Sequence, residues 1–193
     1  MSDLNGCRLG FALCGSFCNA ARAVAAAEAC VKAGAELLPI VSEHFAEMKT
    51  RFGAPEGFLA PLAAMSSGGV IRTIQEAEPI GPKNMTDALV VCPCTGNLLG
   101  KLANGITDGT VSMAVKSHLR GGKPVILCVS TNDGLSASAR NLGDLLNRRH
   151  YYFVPFGQDD PIKKPTSLVA DYSLLPDAVA AALEGRQLQP VLL

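Results

Sequence analysis

Four short stretches of this chain carry side chains suited to holding an anion or the polar edge of a ring. They are Cys14-Gly15-Ser16, Ser42, Pro93-Cys94-Thr95-Gly96-Asn97 and Ser130-Thr131-Asn132-Asp133. Each follows an apolar run and is rich in small hydroxyl or amide groups. Together with the free backbone N–H groups of a helix start, such groups suit a phosphate. The span from Asp87 to Asp108 shows the pattern most fully. An apolar run ends at Cys92-Pro93, a turn of small residues follows, and a helical pattern containing Asn97 and Lys101 begins. Two such ends in one domain point to a phosphate-bearing ligand. Ser16 and Ser42, taken singly, also have an ordinary reading as helix N-caps.

These stretches need strands and helices to position them, and the chain supplies both in alternation. Arg8 to Leu13, Ala35 to Val41, Ala88 to Cys92, Val125 to Val129 and Tyr151 to Val154 are expected strands, with a weaker one at Val70 to Ile74. Expected helices cover Phe17 to Ala33, closed by Gly34, then Pro55 to Met65, closed by Ser66 to Gly69, and a short stretch after Ser42. Further helices are expected at Leu98 to Ala103, Thr110 to Leu119, Ser136 to Leu146 and Pro176 to Leu183. Glu76 to Met85, with Pro79, Gly81 and Pro82, reads as a loop. Near-continuous apolar strands alternating with helices imply a doubly wound parallel sheet in a three-layer α/β/α sandwich, flavodoxin-like or Rossmann-like. Residues 1–193 read as a single domain, and ligands of such sheets bind beyond the carboxyl ends of the strands.

Composition narrows the classes of ligand and partner. Seventeen basic residues balance seventeen acidic ones, so nothing favours broad attraction to nucleic acid or an anionic membrane, although a local basic pocket is compatible with that balance. No apolar run approaches the roughly 20 residues that span a bilayer, and the start of the chain lacks the plan of a secretory signal. Seven cysteines, mostly within apolar runs, behave as small hydrophobes rather than a disulfide framework. Neither Cys92-x-Cys94 nor the three histidines show metal-ligand spacing, so no metal is expected. The three-glycine dinucleotide turn, the Gly-Lys-Ser/Thr phosphate loop and the nucleophile elbow are all absent.

Gly15-Ser16, Pro93-Cys94-Thr95-Gly96-Asn97 with Lys101, and Gly105-Ile106-Thr107-Asp108 together resemble the homo-oligomeric flavin-containing decarboxylase superfamily. That group includes phosphopantothenoylcysteine decarboxylases and flavin prenyltransferases. Longer loop strings are similar to one branch of it, the B subunits of dipicolinate synthases from endospore-forming bacteria. These strings are Leu9 to Leu13, Thr50 to Gly53, Ala77 to Lys83, Ser130 to Leu135 and Tyr152 to Asp159. Loops are where packing constrains sequence least.

The resemblance implies FMN as cofactor, lying between subunits of a trimer or a multiple of trimers. By position, Gly15, Ser16, Ser42, Thr95 and Asn97 would hold its phosphate and ribityl chain, with Phe17 and Pro93 in the same set. Ser130, Thr131 and Asn132 would approach the ring system. It also implies a partner, the A subunit of dipicolinate synthase, which is similar to a nicotinamide-dependent dehydrogenase and carries NAD(P)H. Together the two would convert hydroxy-tetrahydrodipicolinate to pyridine-2,6-dicarboxylate in the cytoplasm of the mother cell during sporulation. A stand-alone decarboxylase or flavin prenyltransferase, or a non-catalytic structural protein, are the alternatives. The chain departs from the decarboxylases in having no histidine between His44 and His118 and no Pro-x-Met-Asn signature. For the two substrate carboxylates Arg51 is the first candidate, then Lys83 and Arg72, since cationic side chains bind carboxylates. The spacing of Asp133, Glu78 and Asp159 selects no acid or base among them.

Overall fold

The computed structural model describes residues 3–66 and 68–193; Met1, Ser2 and Ser67, the last expected in the turn after the second long helix, lie outside the described residues. Five strands run parallel: β1 (Arg8–Leu13), β2 (Glu36–Val41), β3 (Ala88–Cys94), β4 (Val125–Thr131) and β5 (Tyr151–Phe153), in the order β2-β1-β3-β4-β5. All seven residues of β3 are buried, which is what a strand covered on both faces requires. The order reverses between β1 and β3, so a crevice opens between their carboxyl ends.

Crossovers between parallel strands of one sheet are right-handed almost without exception, and this rule places the helices. α1 (Ala20–Lys32) leads from β1 outward to β2 and packs with the C-terminal α8 (Leu175–Leu183) over one face. Its buried residues Ala20, Ala23, Val24, Ala27 and Cys30 recur at helical spacing, and their small size lets the helix lie close to the sheet. The β3-to-β4 crossover runs the other way and puts α5 (Gly96–Ala103) and α6 (Thr110–Leu119) on the opposite face. α2 (Glu43–Glu47) and α3 (Pro55–Ala64) follow β2, and α7 (Ala139–Leu146) packs on α5.

Several expectations change. Val70 to Ile74 is not a strand: one bridge, Ile40 to Ile71, is all that pairs there. Thr73 and Glu76 form a reciprocal capping box that starts α4 (Ile74–Ala77). A 3-10 turn at Glu78–Ile80 follows, so the expected loop from Glu76 is partly helical. The helix expected from Ser136 begins at Ala139, and the one expected from Phe17 is a 3-10 turn (Phe17–Asn19) before α1. Two short strands, β6 (Phe156–Gly157) and β7 (Leu168–Ala170), were not expected. β7 runs antiparallel to the end of β4, and β6 antiparallel to β7, so the sheet is mixed and only its five-strand centre is parallel.

Buried polar groups pin the amino edge of the sheet. His118 on α6 bonds Thr86 through Nδ1 (2.8 Å) and the Pro124 carbonyl through Nε2 (3.0 Å). Burial pushes its pKa down to about 4, so the ring is neutral, with Nε2–H donating and Nδ1 accepting the Thr86 hydroxyl. At the same edge Arg8 grips Asp87 with two side-chain donors, at 2.7 and 3.0 Å, and holds its carboxyl well below the usual range.

Candidate functional site

At the carboxyl edge, the ends of β1 and β3 are tied together by the Cys14 thiol, which donates to the Pro93 carbonyl at 3.1 Å. Burial raises that thiol to about 11, so Cys14 is a brace and not a nucleophile. The β3–β4 pairing shifts register between Val91 and Cys94, where Pro93 has no N–H to contribute. β3 thereby hands the chain to Thr95, whose hydroxyl accepts from the Leu98 N–H and caps α5. Ser42 caps α2 in the same way, accepting from Phe45 N–H at 3.2 Å. Ser16 makes no such cap.

The crevice holds two adjoining cavities. The first, of about 660 Å3, is lined by Gly15, Phe17, Ser42, Thr95 and Asn97 from the expected set. The second, of about 510 Å3, is lined by Ser16, Ser130, Thr131 and Asn132. Gly15, Phe17 and Thr95 face both. Nine of the ten expected cofactor residues therefore converge on one place. Pro93 lines neither cavity; it is buried behind the turn and braces it. A Cβ added at Gly15 would meet no protein atom within 4 Å, so it would project into open space at the shared mouth.

The first cavity has a donor set fit for a phosphate. The free N–H groups of the first turn of α5 open there, beside the exposed amide of Asn97, which has no hydrogen bond among the described residues. Two carboxylates also line it, but both are engaged. Glu43 accepts from Thr110 N–H (2.9 Å) and Thr110 Oγ1 (2.7 Å) at the start of α6. Burial alone would raise its pKa; these hydrogen bonds outweigh burial and lower it. Asp108 is held low by its hydrogen bond from Lys101 (2.7 Å). Phe17 lies parallel to Phe45, ring centroids 5.7 Å apart, and forms an apolar wall.

In the second cavity hydroxyls are oriented from behind. Asn19 Nδ2 donates to Ser130 Oγ (2.8 Å) and to Ser16 Oγ (3.3 Å), and the two hydroxyls share a hydrogen bond at 3.4 Å, so when one donates to the other the second proton is free to be donated forward. Thr131 and Ser138 (2.9 Å) donate to Asp133 Oδ1, so Asp133 is a structural carboxylate with a lowered pKa. This cluster presses on the start of α5, where a Cβ on Gly96 would lie 2.6 Å from Ser138 Oγ and 2.7 Å from Asp133 Oδ1.

The remaining candidates separate. Arg51 lines the second cavity together with Thr50 and Phe52, its guanidinium 4.8 Å from the Phe52 ring centroid and without an acidic partner among the described residues. Lys83 is exposed in the loop before β3, at the opposite edge of the sheet, and lines neither cavity. Arg72 is exposed beside α4 and also lines neither. Glu78 is remote from both, and Asp159 pairs with Lys164 at 3.0 Å. Sequence reasoning missed Asn19, Glu43 and His44. Glu43 and His44 directly follow Ser42 at a strand end, and that position was the available signal. Asn19 becomes relevant only through the 3-10 turn that brings it to Ser130.

A family model described as flavoprotein matches residues 5–163. The chain belongs to the flavoprotein family. Within that family it groups with the dipicolinate synthase B subunits. The dipicolinate synthase B subunit from Bacillus subtilis (strain 168) is 43% identical over 192 residues, covering 100% of this chain and 96% of that protein. The crystal structure of the B subunit of dipicolinate synthase from Bacillus halodurans superposes with a TM-score of 0.91 at 39% identity, covering 99% of this chain and 98% of that one. HAL3 from Cryptococcus neoformans shares the fold, with a TM-score of 0.68 at 17% identity and coverage of 92% and 96%. The flavoprotein match thus takes in both cavities of the crevice and stops short of β7 and α8.

Proposed function

We propose that this chain is the flavin-binding member of a dipicolinate synthase. In this reading it binds FMN in the crevice between β1 and β3 and acts with a dehydrogenase-like A subunit, whose nicotinamide in its oxidised form, NAD(P)+, takes up the two electrons and leaves as NAD(P)H, to form pyridine-2,6-dicarboxylate. One observation carries the proposal: the two cavities meet at Gly15, Phe17 and Thr95, with phosphate donors in one and ring-edge donors in the other. The name of the Bacillus subtilis relative adds the reaction and, because that protein is a B subunit, the partner.

In this reading the α5 N-terminus, Thr95, Asn97 and Ser42 surround the phosphate, and Phe17 walls the ribityl chain. The hydrogen-bonded pair Ser16 and Ser130 donates one hydroxyl proton to an acceptor on the ring edge. FMN, when bound, supplies a two-electron acceptor. Conversion of hydroxy-tetrahydrodipicolinate removes one water and two hydrogens, giving an aromatic ring. The chain's own task is to hold the substrate against the cofactor. Arg51, which lines the second cavity without an acidic partner among the described residues, binds one of the two carboxylates. None of the carboxylates considered at sequence level takes the role of acid or base, since Asp133 is spent on the loop and the others lie elsewhere. The assembly is expected to be a homo-oligomer of trimeric symmetry, placed in the mother-cell cytoplasm.

Assay of the purified chain with and without the A subunit tests the reaction. Dipicolinate formation only in the mixture supports the proposal. Activity of the chain alone on a cysteinyl peptide or a prenyl phosphate would instead favour a stand-alone enzyme.

A further inference from the structure

A third cavity, of about 490 Å3, adjoins the phosphate-side cavity and shares Lys101 and Ser112 with it. Its floor is apolar: Leu102 and Val115 are buried, and Leu119 and Tyr151 half-buried. Around that floor stand Lys101, Lys116, Arg120, Arg148, Arg149 and His150, and no Asp or Glu among the described residues lines it. The chain has as many acidic as basic residues, 17 of each, so composition alone does not account for five Lys and Arg side chains gathered in one concavity.

Part of this charge has internal work. Lys101 pairs with Asp108. Arg148 pairs with Asp144 and donates to the carbonyls of Leu102 and Ala103, closing the C-terminal end of α5. Lys116 and Arg120 sit at the end of α6, where cations complement the helix dipole. That accounts for cations on α6 but not for Arg149 and His150, which reach the same cavity from the turn between α7 and β5. This turn is fixed against β4 by a 2.7 Å hydrogen bond from Val125 N–H to the His150 carbonyl. Lys116, Arg120 and Arg149 form no ion pair among the described residues.

We propose that this cavity is a second ligand site, which binds a small organic anion with a planar or apolar body and at least two acid groups. Cations brought together from two segments repel one another, and a bound anion relieves that repulsion. The apolar floor accepts the body, while Arg120 and Arg149 bind acid groups from either side. The cavity is of the size typical of small-molecule sites. The inference rests on this cavity alone and not on the flavin reading.

Calorimetric titration with pyridine-2,6-dicarboxylate tests it, using the full chain carrying Arg51→Gln to suppress binding in the second cavity, both with and without added FMN. Benzoate and inorganic phosphate serve as comparison probes. The expected result is saturable binding of one dicarboxylate per chain, weakened about tenfold by either Arg120→Gln or Arg149→Gln, since each removes a charge-assisted contact worth about 1.4 kcal/mol. Benzoate, with one acid group, and phosphate, with no apolar body, should bind at least about tenfold more weakly. No saturable binding, or binding unchanged in the Arg120→Gln/Arg149→Gln double variant, would overturn the proposal. Both arginines are exposed, so folding survives either change. The flavin spectrum and turnover with the A subunit report separately on the proposed function.

Discussion

At the scale of single residues, the site depends on hydroxyls and glycines that serve two purposes at once. Thr95 caps α5 and faces both cavities of the crevice. Thr95→Val should therefore cost about 1 kcal/mol in urea unfolding, the usual loss for a removed N-cap, and should also weaken FMN binding. An intact affinity for FMN would separate the two roles. Gly96→Ala would drive a Cβ into the hydroxyl and carboxylate cluster of Thr131, Asp133 and Ser138. The expected cost is about 1–3 kcal/mol, with the 131–133 loop displaced from the second cavity. Unchanged stability and FMN affinity would show that the loop yields freely. Arg51→Ala should lower turnover with the A subunit by at least about tenfold, the worth of one charge-assisted contact, without altering flavin absorbance. Equal kinetics would remove Arg51 from the substrate site. These residues were legible because strand ends in an α/β sheet are where chemistry collects. Lys83 was misplaced because a Gly-Pro-Lys loop reads alike at either edge of a sheet, and only the topology says which edge it occupies.

At the scale of elements, apolar periodicity made the central strands and longer helices readable, and it failed where elements are short. β6 has two residues and β7 three, too few to show an alternation. The Thr73/Glu76 capping box lies within a β-branched run that reads as a strand, so the start of α4 was not legible. The packing of α6 on the amino edge gives a pH-dependent prediction. His118 has a folded pKa of about 4 against an ordinary 6.5, so the unfolded chain takes up the proton first as pH falls. Its contribution is complete above pH 6.5 and is lost as pH drops toward 4, on the order of 2–3 kcal/mol. Urea midpoints at pH 7 and pH 5 should differ in that direction, and His118→Asn should flatten the difference. A variant as pH-sensitive as the wild type would assign the effect to other groups.

At the scale of the molecule, the sheet order sets the site. Reversal between β1 and β3 opens one crevice, and the chain spends its small polar residues on the strand ends that border it. Sequence alone made that crevice legible because Gly15-Ser16 and Thr95-Gly96-Asn97 each follow an apolar run. What it could not supply was the division into two cavities, which depends on Asn19 reaching Ser130 and on the Asp133 cluster closing against Gly96. No helix among the described residues is long and apolar enough to cross a membrane. The central claim is that FMN occupies the space shared by the two cavities at Gly15. A Cβ there meets no protein atom within 4 Å, so Gly15→Val should fold normally while filling the shared mouth. Titration of wild type and Gly15→Val with FMN, followed by flavin absorbance and fluorescence quenching, tests this most directly. The wild type should bind one FMN per chain saturably, and the variant should lose at least about a hundredfold in affinity, or some 2.7 kcal/mol. A wild type that takes up no FMN, or a variant that binds it equally well, would contradict the claim.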